Sequence, residues 1–248
     1  MSKRVLVTGG AKGVGAAIVR ALAQAGYDVD FTYRASGEAA LTLADELSSS
    51  YPQAIRAHSV DLSEKGSLDI FCEALQDETF YGLIHNAGQS YDVLAAMMAQ
   101  DKAEAAMQVN FWSFTRIAKT IMRGMIRARS GRIVAIGSVA AIQANAGNAA
   151  YAASKGALIS YARTLAIETA KRGVTVNVIA PGFIDTDMMA PYAAYRATME
   201  GQIPAGRFAK PEEIAGLAAF LMSPPAAYIT GATLPVDGGL TAMMGVHR

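Results

Sequence analysis

Residues 4–15 read Arg-Val-Leu-Val-Thr-Gly-Gly-Ala-Lys-Gly-Val-Gly, and this stretch decides the fold. Its apolar first half predicts a buried strand, Arg4–Thr8, and the helical spacing over residues 14–25 predicts a helix directly after it. Between the two lies a turn with the spacing Thr-Gly-x-x-x-Gly-x-Gly. A strand that passes through a glycine-rich turn into a helix is typical of the first unit of an α/β domain.

The same alternation of short apolar runs and helical segments continues along the chain. Further strands are predicted at Asp28–Tyr33, Ala54–Val60, Gly82–His85, Arg132–Gly137, Val174–Ile179 and Thr233–Val236. Further helices are predicted at residues 37–49, 63–77, 100–128, 151–172 and 211–222. Several strands are apolar almost throughout, which is typical of parallel strands covered on both faces. We therefore expect an α/β fold, a Rossmann-type doubly wound parallel sheet of about seven strands with helices on both faces.

No stretch of the chain has the composition of a linker, so we expect a single domain over residues 1–248. The least regular region is residues 183–206, directly after Pro181-Gly182. Irregular segments beside a site are often mobile and cover the substrate. We expect this region to be a substrate lid.

Composition excludes several classes of function. The formal net charge is +1, from 22 basic and 21 acidic residues, and no block of like charge resembles a nucleic-acid arm or a membrane patch. Cys72 is the only cysteine and the histidines are scattered, so neither a disulfide nor a metal site is expected. We find no signal peptide and no apolar run of the roughly 18 residues that a membrane helix needs. These features predict a cytoplasmic protein that binds neither nucleic acid nor membrane.

The glycine turn is a candidate phosphate-binding site. Gly9, Gly13 and Gly15 let the backbone approach a pyrophosphate closely, and the following helix offers unpaired N–H groups. A second turn, Asn86-Ala87-Gly88, follows the fourth strand and should lie beside the first, because ligands of open α/β sheets bind at the carboxyl ends of the strands. The alternatives are a purely structural tight turn for the first motif and a helix-capping loop for the second.

The end of the second strand bears on the choice of dinucleotide. A carboxylate there would accept from the ribose 2′-hydroxyl and repel a 2′-phosphate, but the strand runs into Tyr33-Arg34 instead. Arg34 can pair with a phosphate, and Lys12 in the glycine turn adds a second cation. This pair favours NADPH over NADH. The alternative is that both are solvated surface cations.

A candidate reacting group follows the fifth strand. Tyr151 and Lys155 lie four residues apart on one helix face, where an ammonium would lower the tyrosine pKa and make the phenol a usable acid. Ser138 stands at a carboxyl strand end, from which its hydroxyl could donate to a carbonyl oxygen. Taken alone, the Tyr–Lys pair could be an ordinary surface pair.

Together these motifs, with Asn110 and Pro181-Gly182, resemble the short-chain dehydrogenase/reductases over the whole chain. The resemblance implies that Tyr151 donates a proton, that Lys155 lowers its pKa and holds the nicotinamide ribose, and that Ser138 orients the carbonyl. It also implies that Asn110 helps to hold a water of the proton relay, and that Asp61 touches the adenine. The full set expected at the cofactor is Gly9, Lys12, Gly13, Val14, Gly15, Arg34, Asp61, Asn86, Ala87, Gly88, Tyr151, Lys155, Pro181, Gly182, Ile184 and Thr186.

Within that family, residues 176–188, 203–208, 210–215, 228–231 and 236–239 look like the β-ketoacyl-[acyl-carrier-protein] reductases of bacterial fatty-acid synthesis. The likeness implies NADPH-dependent reduction of a 3-oxoacyl thioester, a homotetramer, and docking of acyl carrier protein on Arg129 and Arg172. One departure is His85, where that subfamily usually has a second asparagine. The alternatives are a sibling reductase acting on acetoacetyl-CoA or another small ketone, and a dinucleotide-binding protein without catalysis.

Overall fold

Seven parallel strands form one sheet in the computed structural model, which describes residues 3–243. The order is β3-β2-β1-β4-β5-β6-β7, so the chain crosses over between β3 and β4 and the predicted doubly wound sheet is confirmed. Residues 1–2 and 244–248 of the predicted single domain lie outside the described residues. The strands are β1 (Arg4–Thr8), β2 (Asp28–Tyr33), β3 (Ile55–Ser59), β4 (Gly82–His85), β5 (Gly131–Ile136), β6 (Val174–Pro181) and β7 (Thr233–Val236).

Helices cover both faces of the sheet. Val5 and Val7 belong to the buried apolar cluster on one face of the sheet, whereas Leu6 between them belongs to the cluster on the other face. This alternation explains why β1 is apolar throughout, because each face of the strand meets a layer of helices. The helices are α1 (Gly13–Gln24), α2 (Gly37–Ser50), α3 (Lys65–Ala74), α4 (Gln100–Met107), α5 (Ser113–Ala128), α6 (Ala149–Thr169), α7 (Arg196–Gly201) and α8 (Pro211–Met222).

The single helix expected over residues 100–128 is interrupted. A π-helical turn, Gln108–Trp112, separates α4 from α5. Within it Asn110 is completely buried, and the hydroxyl of Ser113 donates to the Val109 carbonyl at 2.7 Å. Such turns occur mostly as single insertions within α-helices and are frequent at functional sites. The prediction of a continuous helix was wrong because apolar spacing does not reveal one extra residue.

A buried carboxylate joins the first three strands in spatial order. Asp30, in the middle of β2, pairs with Arg4 on β1 and with Arg56 and His58 on β3. Burial acts to raise the pKa of Asp30, but hydrogen bonds from His58 and Arg4 outweigh it and lower that pKa to about 2. The carboxylate is therefore charged and fully paired, because an unpaired buried charge would be strongly destabilising.

The segment expected as a lid contains helical turns. A 3₁₀ segment spans Asp187–Tyr195, and α7 follows it at once. Among residues 3–243, no helix combines the length and the hydropathy that crossing a bilayer requires.

Candidate active site

One cavity of about 1220 Å³ opens at the carboxyl ends of the strands. It is somewhat larger than the roughly 300–1,000 Å³ of a typical small-molecule site. Three candidate residues do not line it: Asn110, Arg129 and Arg172. The candidates that do line it are Gly9, Lys12, Gly13, Val14, Gly15, Arg34, Asp61, Asn86, Ala87, Gly88, Ser138, Tyr151, Lys155, Pro181, Gly182, Ile184 and Thr186.

The glycine turn cannot accommodate side chains at its key positions. A Cβ on Gly15 would stand 1.9 Å from the Gly9 carbonyl oxygen, and Gly9 has a φ of +67°. A Cβ on Gly9 would also stand 3.0 Å from the Ala87 Cα. The turn therefore presents bare backbone to the cavity at the start of α1, which fits a dinucleotide pyrophosphate.

The hydroxyl of Thr8 binds the two predicted turns together. It accepts hydrogen bonds from the backbone N–H groups of Asn86 and Ala87, both at 3.1 Å. The side chain of Asn86 reaches back and donates to the Gly9 carbonyl at 2.9 Å. Asn86 therefore braces the glycine turn, so the helix-capping alternative for the second motif was wrong. The function of Thr8 was missed, although this residue begins the Thr-Gly spacing.

Tyr151, Ser138 and Lys155 meet at the floor of the cavity. The Lys155 ammonium donates to the Ile136 carbonyl at 2.9 Å and lies 5.8 Å from the centre of the Tyr151 ring. Burial lowers the pKa of Lys155 to about 8. Helix α6 supplies Tyr151 and Lys155 four residues apart, and Ser138 lies two residues after the end of β5.

The pKa of Tyr151 differs from the expectation. Burial raises it, a hydrogen bond with Ser138 lowers it, and the charge of Asp92 raises it further. The net direction is upward, whereas Lys155 was predicted to lower the pKa of Tyr151. Loss of solvation disfavours the phenolate and outweighs the hydrogen bond with Ser138. The expected lowering of this pKa by Lys155 stays a prediction.

Asn110 lies behind the catalytic residues. Its amide nitrogen donates to the Ser154 hydroxyl at 2.8 Å and to the Gln89 carbonyl at 3.0 Å, while its oxygen accepts from the Gln89 N–H at 2.7 Å. Ser154 in turn donates to the Tyr151 carbonyl at 2.7 Å. Asn110 thus connects the π turn with the start of α6. The water-holding role expected of it stays a prediction.

At the far end of the cavity Arg34 and Lys12 are both exposed at the rim. The Asp61 carboxylate accepts from the Ser63 N–H and hydroxyl, at 2.9 and 2.6 Å. Hydrogen bonding from Ser63 lowers the pKa of Asp61 against the opposing effect of burial, and the charge of Arg34 adds to the lowering. A positive charge therefore faces the predicted adenosine end of the site.

A contact between two cavity-lining residues could not be predicted from the sequence. Tyr192, in the segment expected as a lid, donates its hydroxyl to the carboxylate of Asp92, which follows β4. This bond raises the pKa of Tyr192 to about 12. The two residues are 100 positions apart, so spacing along the chain carries no signal for the pair.

Arg129 and Arg172 lie at the opposite end of the sheet, before the starts of β5 and β6. Arg129 ends α5 with a left-handed φ of 50° and donates to the Lys171 carbonyl at 3.1 Å. The two cations are therefore near each other and far from the cavity of their own chain. Elsewhere in residues 3–243, His, Cys, Asp and Glu side chains nowhere gather in a group of three that could hold a metal.

Comparisons with known proteins agree with this geometry. A family model described as enoyl-(acyl carrier protein) reductase matches residues 9–241. A solved structure described as a short chain dehydrogenase/reductase family protein superposes with a TM-score of 0.88 and 30% identity, over 97% of this chain and 98% of that one. The chain belongs to the short-chain dehydrogenase/reductase family. It is therefore an oxidoreductase that uses a nicotinamide cofactor, as the motifs predicted.

Curated relatives of this short-chain dehydrogenase/reductase carry names for one reaction. The 3-oxoacyl-[acyl-carrier-protein] reductase FabG of Vibrio cholerae is 41% identical over 96% of this chain and 97% of its own length. FabG of Escherichia coli is 40% identical with the same coverage of both chains. The 3-oxoacyl-[acyl-carrier-protein] reductase MabA of Mycobacterium bovis is 37% identical over 97% of this chain and 93% of its own.

Replacing Tyr151 with phenylalanine tests the proposed proton donor. We expect Tyr151→Phe to lower kcat about 10²-fold, the scale of a lost general acid, while the Kd for NADPH stays within about twofold. Tyr161→Phe is the matched control, because Tyr161 lies on the same helix and packs against Phe111 and Phe114 away from the cavity. Steady-state kinetics and cofactor fluorescence titration measure both. Wild-type turnover by Tyr151→Phe would contradict the assignment.

Proposed function

We propose that this chain uses NADPH to reduce the 3-oxo group of an acyl thioester on acyl carrier protein to the 3-hydroxy product of fatty-acid synthesis. The observation that carries the proposal is the meeting of Ser138, Tyr151 and Lys155 at the floor of a cavity that begins at the glycine turn. The names of the curated relatives supply the substrate class.

The catalytic residues act on the substrate oxygen. A nicotinamide cofactor held by the glycine turn and Lys155 would supply the hydride that reduces the carbonyl carbon. The hydroxyls of Ser138 and Tyr151 would donate hydrogen bonds to the oxygen as negative charge develops on it. Because the pKa of Tyr151 is raised, its phenol is protonated at neutral pH and can give its proton to the stronger alkoxide base. The Lys155 ammonium beside the ring stabilises the phenolate that remains.

Residues 183–206 are the proposed substrate lid of this single-domain enzyme. The hydroxyl of Tyr192 in this segment bonds to Asp92, and both residues line the cavity. Met188, Met189 and Met199 of the same segment line the cavity, and flexible apolar side chains suit an acyl chain. These contacts support a lid that closes over the thioester arm.

Self-association to a homotetramer is also proposed. Ile167 on the outer face of α6 is 81% exposed, and Tyr228 is fully exposed. Large apolar side chains at a surface mark candidate contact sites. The cytoplasmic location and the lack of nucleic-acid binding stay predictions from the sequence.

A second candidate reaction is reduction of an enoyl thioester, because the matching family model is described by that activity. A panel of 3-oxoacyl and 2-enoyl thioesters, each on acyl carrier protein and on coenzyme A, separates the two. We expect NADPH consumption on the 3-oxo compounds at a kcat/KM at least about 10²-fold above the enoyl compounds, because only reduction of the 3-oxo group forms an alkoxide that takes a proton on oxygen, which the hydroxyls of Ser138 and Tyr151 would supply and stabilise. The reverse order would contradict the proposal, and equal use of small ketones would favour a sibling reductase.

The choice of cofactor follows from Lys12 and Arg34. Replacing both with alanine should lower kcat/KM for NADPH by about tenfold or more and change that for NADH little, because only NADPH carries the 2′-phosphate that these cations pair with. Arg20→Ala is the matched control, since Arg20 is an exposed cation on α1 that pairs with Glu46 outside the cavity. A wild-type preference for NADH would contradict the assignment.

Carrier-protein docking is proposed at Arg129 and Arg172. Carrier proteins of this type are acidic, so exposed cations would steer docking in a salt-dependent way. The pair is far from the cavity of its own chain, so the proposal requires a neighbouring subunit to bring it near an entrance.

We expect Arg129→Ala with Arg172→Ala to raise KM for carrier-linked substrate severalfold and to leave KM for a small thioester unchanged. The double lysine variant keeps the charges and should behave like wild type, and Arg123→Ala removes another exposed cation as a control. An equal change in KM for both substrates, or no change for either, would contradict this docking assignment.

A further inference from the structure

His85, the last residue of β4, is a completely buried histidine directly before the Asn86-Ala87-Gly88 turn, and it does not line the cavity. Its ring lies 5.2 Å from the ring of Phe114, and its Nδ1 lies 3.0 Å from the Thr8 hydroxyl oxygen. No catalytic or cofactor-binding role described above uses this side chain, and the resembling reductases usually have asparagine there. Each nitrogen of a buried histidine ring needs a hydrogen-bond partner, because an unpaired buried polar group is destabilising.

The hydrogen bonds of Thr8 determine which nitrogen of His85 carries the proton. The Thr8 oxygen already accepts from two backbone N–H groups, those of Asn86 and Ala87. A hydroxyl has two acceptor positions and one proton, so the remaining Thr8 proton is directed at Nδ1 of His85. Nδ1 is therefore an acceptor, and the proton of the neutral imidazole lies on Nε2.

The Nε2 side of the ring faces the π turn. This nitrogen is buried without a hydrogen bond of standard geometry, and the backbone oxygens of Asn110 and Val109 are close enough to raise the pKa of His85. Burial and the charge of Lys155 oppose them and lower that pKa to about 3, so the ring is neutral at working pH. In the π turn the carbonyls leave the regular α-helical ladder and become available to an N–H donor.

We propose that His85 is a positioning residue, held as the Nε2–H tautomer, whose ring joins the Thr8 hydroxyl to the π turn that carries Asn110. On one side it keeps the Thr8 hydroxyl oriented toward the cofactor turns. On the other side it fixes the conformation of the π turn. Because Asn110 in that turn donates to Ser154, and Ser154 donates to the Tyr151 carbonyl, the ring also fixes the position of Tyr151. The effect on turnover rests on the proposed function, whereas the tautomer does not.

The tautomer is tested by long-range proton–nitrogen NMR on protein labelled with ¹⁵N-histidine. The chain has three histidines, and the His85→Asn and His58→Asn variants assign two of them by subtraction. We expect an acceptor-type shift for Nδ1 of His85 and a protonated shift for Nε2, unchanged between about pH 8 and pH 5. A proton on Nδ1, or an imidazolium signal in this range, would overturn the proposal even if every substrate assignment is correct.

Three variants of His85 separate the contributions of its two ring nitrogens. Asparagine can place an oxygen where Nδ1 lies, glutamine can place an N–H where Nε2 lies, and leucine does neither. We expect His85→Leu to lower kcat and to raise KM for NADPH, each about tenfold, since small displacements of reacting groups are costly. His85→Asn should restore mainly KM for NADPH, and His85→Gln mainly kcat.

Each variant is first checked for folding by thermal unfolding, and NADPH binding is measured by fluorescence without substrate. His58→Gln is the matched control, because His58 pairs with Asp30 away from the cavity and should leave both kinetic constants unchanged. If the leucine, asparagine and glutamine variants of His85 changed kcat and KM by the same factors, the ring would contribute only packing, and this result would contradict the proposal. Failure of the proposed function would instead show as absent turnover by wild type with NADPH binding and the tautomer intact.

Discussion

The hydroxyl of Thr8 holds the site together at the point where the backbones after β1 and β4 nearly touch. A Cβ added at Gly9 would stand only 3.0 Å from the Ala87 Cα, so no side chain separates the two segments. In that space a single oxygen accepts hydrogen bonds from two backbone N–H groups of partly buried residues. The cavity, the glycine turn and the floor of the active site all depend on this close approach.

Much of the fold could be predicted because its physical causes are local. Strands such as β1 are apolar throughout since helices cover both faces, and the turn after β1 needs glycine where its own backbone leaves no room. The π turn could not be predicted. Helix α4 buries only Ala106, so it has no apolar stripe whose phase could be compared with the stripe of α5.

The candidate site, like the fold, has features that could be predicted from the sequence and features that could not. The spacing of Tyr151 and Lys155 along one helix could be read from the sequence, as could the position of Ser138 at a strand end. Their electrostatics could not, because the pKa of Tyr151 depends on burial and on the distant carboxylate of Asp92. The partners of Asn110 come from Gln89 and Ser154, 21 and 44 residues away, and only the folded chain brings them together.

The π turn also makes the chain intolerant of length changes at one particular place. Deleting Phe111 or Trp112, which lie between Asn110 and α5, would restore an ordinary α-helix but rotate α4 and Asn110 relative to α5 by about 100°, one residue's share of a turn. The buried stripe of α5, with Phe114 and Ile117 against the sheet, could stay in place. Asn110 would then turn away from Ser154. Most of the buried residues of this helix pair lie on α5, so the exact residue count of the turn is a requirement of the active site more than of the core.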